Sequence, residues 1–159
     1  MDKRWLGIII ILILGIGAMY FIVDSSPTVG KAVAVASEMT ITIPDGFNLL
    51  KDTEQTIDMI NSQNETINIT IIGLGDNASK EYKAALKAFE KSDDIEVQDK
   101  NATGNMIFYK NLTADKECSV TYFVKENRTI ELQMTKYENW ENDWKFVVDT
   151  IQHNFKQNK

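Results

Sequence analysis

Side chains able to do chemistry are few in this sequence, and their spacing excludes most reactions. There is one histidine, His153, and one cysteine, Cys118. Zinc sites take several Cys or His ligands, and an activated nucleophile needs a base beside it and a group to orient that base. These two residues supply neither set. His153 falls on the flank of a C-terminal helical stripe and reads as a surface residue. A single cysteine forms no intramolecular disulfide. At period two Cys118 shares a side with Val120, Tyr122 and Val124, the pattern of a small buried strand residue. Carboxylates are plentiful, in one group of Asp93, Asp94 and Glu96 and another of Glu138, Glu141 and Asp143. Oxygen ligands of this kind suit Ca²⁺, but neither group has EF-hand spacing, and Glu141 and Asp143 are placed to complement the dipole of a following helix. Gly73-Leu74-Gly75 lacks the third Gly or the Lys-Ser/Thr of a phosphate loop. The chain therefore reads as a non-enzyme, with no cofactor and no metal site.

One reactive pattern does stand out. Six Asn-x-Ser/Thr triplets begin at Asn64, Asn68, Asn77, Asn101, Asn111 and Asn127. With 13 Asn and 20 Ser or Thr in 159 residues, random order gives about 1.6. This triplet is the acceptor for N-glycosylation, which modifies translocated surfaces. Asn64, Asn101, Asn111 and Asn127 fall in polar breaks between apolar runs. Asn77 precedes a helical pattern, and Asn68 lies on the polar side of a strand.

Acceptors need a route across a membrane, and the sequence has one. Residues 6–23, LGIIIILILGIGAMYFIV, carry no charge. As a helix they rise about 27 Å, close to the hydrocarbon thickness of a bilayer. A helix also satisfies its own backbone polar groups inside lipid. Trp5 at one end, and Tyr20 with Phe21 at the other, suit the interfaces. Lys3 and Arg4 precede the span and Asp24 follows it, which predicts a cytoplasmic 1–5 and an outward C-terminal part at the cell membrane. The run is longer than the apolar core of a cleaved signal peptide, and the best small-residue site, Ala34-Val35-Ala36, lies well beyond it. Residues 24–38 read as a linker of turn formers and small residues. The net charge is −6. Residues 1–23 hold +1 of it, so the remainder carries −7. An acidic domain argues against nucleic acid, whose phosphates need clustered Lys and Arg.

The remaining residues, 39–159, read as one α+β domain. Met39, Ile41 and Ile43 alternate with Thr40 and Thr42, then Pro44-Asp45-Gly46 makes a turn. Further strands are predicted at Phe47–Leu50, Thr56–Ile60 and around Ile67, Ile69 and Ile71. Tyr82, Ala85, Leu86 and Phe89 form a helical stripe opposite Lys80, Lys83 and Lys87, with Asn77 as N-cap. Four strands follow, over Ile95–Lys100, Asn105–Lys110, Ser119–Lys125 and Thr129–Lys136, with separators short enough for antiparallel hairpins. A closing helix is predicted from Trp140 to Phe155, its stripe formed by Trp140, Trp144, Val147, Val148, Ile151 and Phe155.

This order, β-β-β-β-α-β-β-β-β-α, together with MTITIPDGF and the terminal WKFVVDTIQHNFK, resembles the PsbP-like fold. That family has an early strand leading into a Pro-x-Gly-aromatic turn, matched by Pro44, Gly46 and Phe47. Its small-residue-Phe-basic ending is matched in part by Asn154-Phe155-Lys156. The chain also resembles the small membrane-anchored proteins common in methane-producing archaea. The resemblance implies an antiparallel sheet flanked by two helices, used as a binding or accessory module, and it transfers no catalytic residues. Three functions follow as expectations: an anchored, glycosylated domain that engages a protein partner at the cell surface; a small accessory subunit of a membrane complex; and, third, a carboxylate-based enzyme, which requires two acids converging in a cleft.

Overall fold

The computed structural model describes residues 32–35 and 39–153. The expected span, residues 6–23, lies outside them, as do Asn154, Phe155 and Lys156. Among the described residues no helix is long and apolar enough to cross a membrane.

Seven antiparallel strands form the main sheet: β3 (Phe47–Asp52), β4 (Thr56–Asn61), β5 (Thr66–Leu74), β6 (Ile95–Asn101), β7 (Met106–Asn111), β8 (Lys116–Lys125) and β9 (Arg128–Thr135). They lie in the order β3-β4-β5-β9-β8-β7-β6. The expected hairpins are present, and β5 against β9 joins the two halves. Turn chemistry supports them. Glu126 and Asn127 both have positive φ, 50° and 60°, as a two-residue hairpin loop needs to match the strand twist.

Two helices cover opposite faces of different halves of this sheet. The reason is visible in the register. Ile57, Ile69, Leu132 and Thr121 stand in one row across β4, β5, β9 and β8, while Asp58, Asn68, Gln133 and Val120 stand in the next. Neighbouring rows point to opposite faces. The first face is apolar over β4, β5 and β9, and α2 (Trp140–Thr150) sets Val147 into the core that Met59, Ile67 and Ile69 help to form there. The second face turns apolar only towards β7 and β8, through Ile107, Tyr109, Val120 and Tyr122, where α1 (Ala78–Phe89) lays Tyr82, Ala85, Leu86 and Phe89. Its other half keeps polar, half-exposed side chains such as Asp58, Asn68 and Gln133.

Several details differ from the sequence reading. The linker 24–38 contains a strand, β1 (Ala32–Val35), which pairs with β2 (Met39–Thr42). Small residues disguise it, yet AVAV still supplies the extended backbone that β2 needs beside it. The last helix ends at Thr150. Ile151 turns extended, at φ −60° and ψ 123°, and is buried in the core. Gln152 and His153 then form β10 on the other side of β2, so His153 sits on a strand and not on a helix flank. The order is thus β-β-β-β-β-α-β-β-β-β-α-β, with a three-stranded sheet added to the expected plan. Asn77 occupies the N-cap position of α1 without a side-chain capping bond; its Nδ2 donates instead to the Leu74 carbonyl at 3.1 Å. Cys118 is half-buried, and Val124, expected beside it, is exposed. Leu49 and Leu50 are exposed as well, because β3 is an edge strand.

Candidate functional site

The acidic groups singled out in the sequence do not converge on a metal. Among the described residues no group of three or more His, Cys, Asp or Glu side chains is placed to hold one. Asp94 accepts the Thr113 hydroxyl at 3.2 Å, and Asp143 accepts the Tyr137 phenol at 2.6 Å. Burial first, and then that bond to Asp143, push the Tyr137 pKa well above the ordinary phenol value.

The glycosylation candidates divide by geometry. Asn64 and Asn127 occupy turns with φ of 61° and 60°. Asn101 and Asn111 open turns in which their Oδ1 atoms accept the Gly104 and Ala114 amides at 3.0 and 2.9 Å. Asn77 stands at the start of α1. Asn68 alone lies inside a central strand, half-buried, with its Nδ2 donating to Asp58 Oδ1 at 2.8 Å.

A depression of about 300 Å³ lies on the first face beyond the reach of the α2 core contacts, lined by Gln98, Asp99, Phe108, Lys136, Trp140 and Glu141. Strand β6 supplies two of these by an irregularity. Consecutive strand residues point to opposite faces, yet Gln98 and Asp99 both line the depression. The β6–β7 register shifts between Val97 and Asp99, so Gln98 is the extra residue of a bulge that re-aims it. Asp99 pairs with Phe108 on β7. The Phe108 and Trp140 rings meet edge to face, 5.8 Å apart and inclined at 74°. Trp140, expected in the core stripe of α2, thus turns aside onto β7; Trp144 is the one that joins the core, donating its indole N–H to Thr121 Oγ1 at 3.2 Å.

Charge in the depression is mixed. The Lys136 ammonium sits 5.4 Å from the Phe108 ring centroid and 3.3 Å from Glu117 Oε2. Glu141 projects from the first turn of α2, where the helix dipole favours a carboxylate. The site was not legible as a unit, because its residues come from β6, β7, the position just after β9 and α2. The sequence pointed to Trp140 and Glu141 individually, as core and as dipole partner, and to nothing at Gln98 or Phe108.

No protein-family model matches the chain, and no curated protein matches it. Among solved structures, one similar fold is a Bacteroides thetaiotaomicron VPI-5482 crystal structure at 14% identity and a TM-score of 0.48. The match covers 82% of this chain and 50% of the other, so the chain spans half the length of that protein. Another is the solution structure of cyanobacterial PsbP (CyanoP) from Synechocystis sp. PCC 6803, at 12% identity and a TM-score of 0.43, covering 77% of this chain and 95% of that one. Neither likeness carries an activity or a partner to this chain.

Proposed function

We propose that this protein is a membrane-anchored extracytoplasmic binding or accessory domain, non-enzymatic and N-glycosylated. One observation carries the reading: an uncharged run at 6–23, with Lys3 and Arg4 before it and Asp24 after it, followed by six acceptor triplets that all lie on the side where those charges direct the chain. Five of the six sit at turns or at a helix start, the surface positions an acceptor requires. The PsbP-like residues Pro44, Gly46 and Phe47 agree with a binding or accessory role.

The test is peptide mass mapping of the native protein, together with protease digestion of intact cells. Glycan on several of Asn64, Asn77, Asn101, Asn111 and Asn127 is expected, with Asn68 unmodified because its amide is half-buried and engaged by Asp58. Protease added outside should remove the domain. Unmodified peptides at every acceptor, and a domain protected until the cells are opened, would overturn the reading. Co-purification of a stoichiometric partner from mild detergent would assign the chain to a complex instead of a free-standing surface protein.

A further inference from the structure

We infer that the depression between β6, β7 and the start of α2 binds a neutral sugar ring, with the Trp140 indole as its stacking surface and Gln98, Asp99 and Glu141 as its hydrogen-bonding partners. The inference deepens the binding-module reading and rests on it.

Its lining decides the ligand's charge. Asp99 and Glu141 disfavour an anion, and Lys136, although held by Glu117, offsets part of their pull on a cation. A neutral ligand rich in hydroxyls suits both, because each hydroxyl donates one hydrogen bond and accepts others. Carboxylates accept, the Lys136 ammonium donates, and the Gln98 amide does both. The rings decide the ligand's shape. Lys136 already covers the Phe108 ring, whereas the half-buried Trp140 has no cation over it among the described residues. An indole of this kind offers an apolar plate to the C–H face of a pyranose, and the polar arms stand around it. The volume of about 300 Å³ accommodates one such ring.

The β6 bulge is what brings two polar arms to the depression. A regular strand would send Gln98 and Asp99 to opposite faces, and the extra residue brings both to one. It sits on the outermost strand of the sheet, where no further strand constrains it.

The experiment is a titration of the full chain in a polyoxyethylene detergent, whose headgroup is not a sugar, followed by nuclear magnetic resonance at the Trp140 indole N–H. Methyl glucoside, methyl galactoside, methyl mannoside and N-acetylglucosamine are the probes, with arginine amide as a cationic control. The Trp144 indole, bonded to Thr121, reports that the fold is intact. A saturable shift at Trp140 is expected with at least one pyranoside and not with arginine amide. Gln98→Ala and Asp99→Ala, both exposed on the edge strand, should each weaken that binding about tenfold while leaving the Trp144 signal in place. If no pyranoside saturates while Trp144 keeps its native shift, the sugar site is wrong; saturation by arginine amide alone would make it a cation site. Neither outcome touches the glycan and protease results, so the anchored-domain reading stands or falls separately.

Discussion

Ser119 is the one buried side-chain polar atom without a hydrogen-bond partner among the described residues. It stands on β8 between Phe108 and Met134, where regular pairing brings apolar neighbours to its hydroxyl. A buried hydroxyl with no partner costs about 1–3 kcal/mol. Ser119→Ala is therefore expected to stabilise the domain by about 1 kcal/mol, read as a higher urea midpoint with an unchanged slope. The tyrosines act in the opposite sense and only in alkali. Burial first, then hydrogen bonds and charge from Cys118, Glu131 and Asp143, raise the pKa values of Tyr109, Tyr122 and Tyr137 above the ordinary value of 10.0. Each phenol then keeps its proton in the folded state at a pH where the unfolded chain has lost it. Their contribution is complete below about pH 10 and declines as pH rises through the folded values. Unfolding is expected to set in above that pH, with the phenolate absorbance of these three appearing together with the loss of fold. Gradual ionisation of Tyr109, Tyr122 or Tyr137 at pH 10 in a still-folded domain would contradict their burial.

At the scale of elements, α2 is the part whose docking holds the first face together. Val147 and Ile151 are buried in the core, Trp144 and Val148 pack beside them, and Lys125 Nζ donates to the last-turn carbonyls of Val148 and Asp149. Trp144→Ala removes a large ring and its bond to Thr121. A loss of about 3 kcal/mol is expected, at the low end for a core aromatic because the ring is half-buried. Unchanged melting would show that α2 does not depend on it. The elements were mostly legible because local pattern suffices for them. Ile67, Ile69 and Ile71, and Ile130, Leu132 and Met134, alternate in the sequence and all prove buried on one face. What escaped depends on pairing at long range. AVAV becomes a strand only because β2 lies beside it, and Gln152-His153 leaves the helix to join the other edge of that same strand. The β6 bulge has no local signature at all. It is defined by the register with β7, and the depression exists only once β7, β9 and α2 are assembled around it.

For the molecule as a whole, direction is the property that unites the parts. Strand β1 enters with Ala32 opposite Thr42, and β2 then leads through Pro44 into Phe47, which pairs with Asn61 beside the Asn64 turn. The N-terminal end of β1 thus lies at the end of the domain that carries Asn64. The Lys116 ammonium, donating to the Asn64 carbonyl, draws the Asn111–Asp115 turn to that same end. Asn77 and Asn127 meet at the opposite end, where the Gly75 amide donates to the Asn127 carbonyl at 2.8 Å. Acceptors at both ends of the sheet leave the first face, with its depression, free of acceptors between them. On the anchored reading proposed above, the side of the bilayer that the domain occupies rests on very few charges: Lys3 and Arg4 before residues 6–23, and Asp24 after them. Replacing Lys3 and Arg4 by Glu and Asp24 by Lys reverses the bias without altering the apolar run. Such a variant is expected to insert with the domain inside, so that all glycan disappears at once and external protease no longer reaches it. The domain's own melting temperature should stay where it was once corrected for the missing glycan, because none of the three substitutions touches a described residue of the domain. Full glycosylation of the reversed-charge chain would show that these three charges do not set its direction.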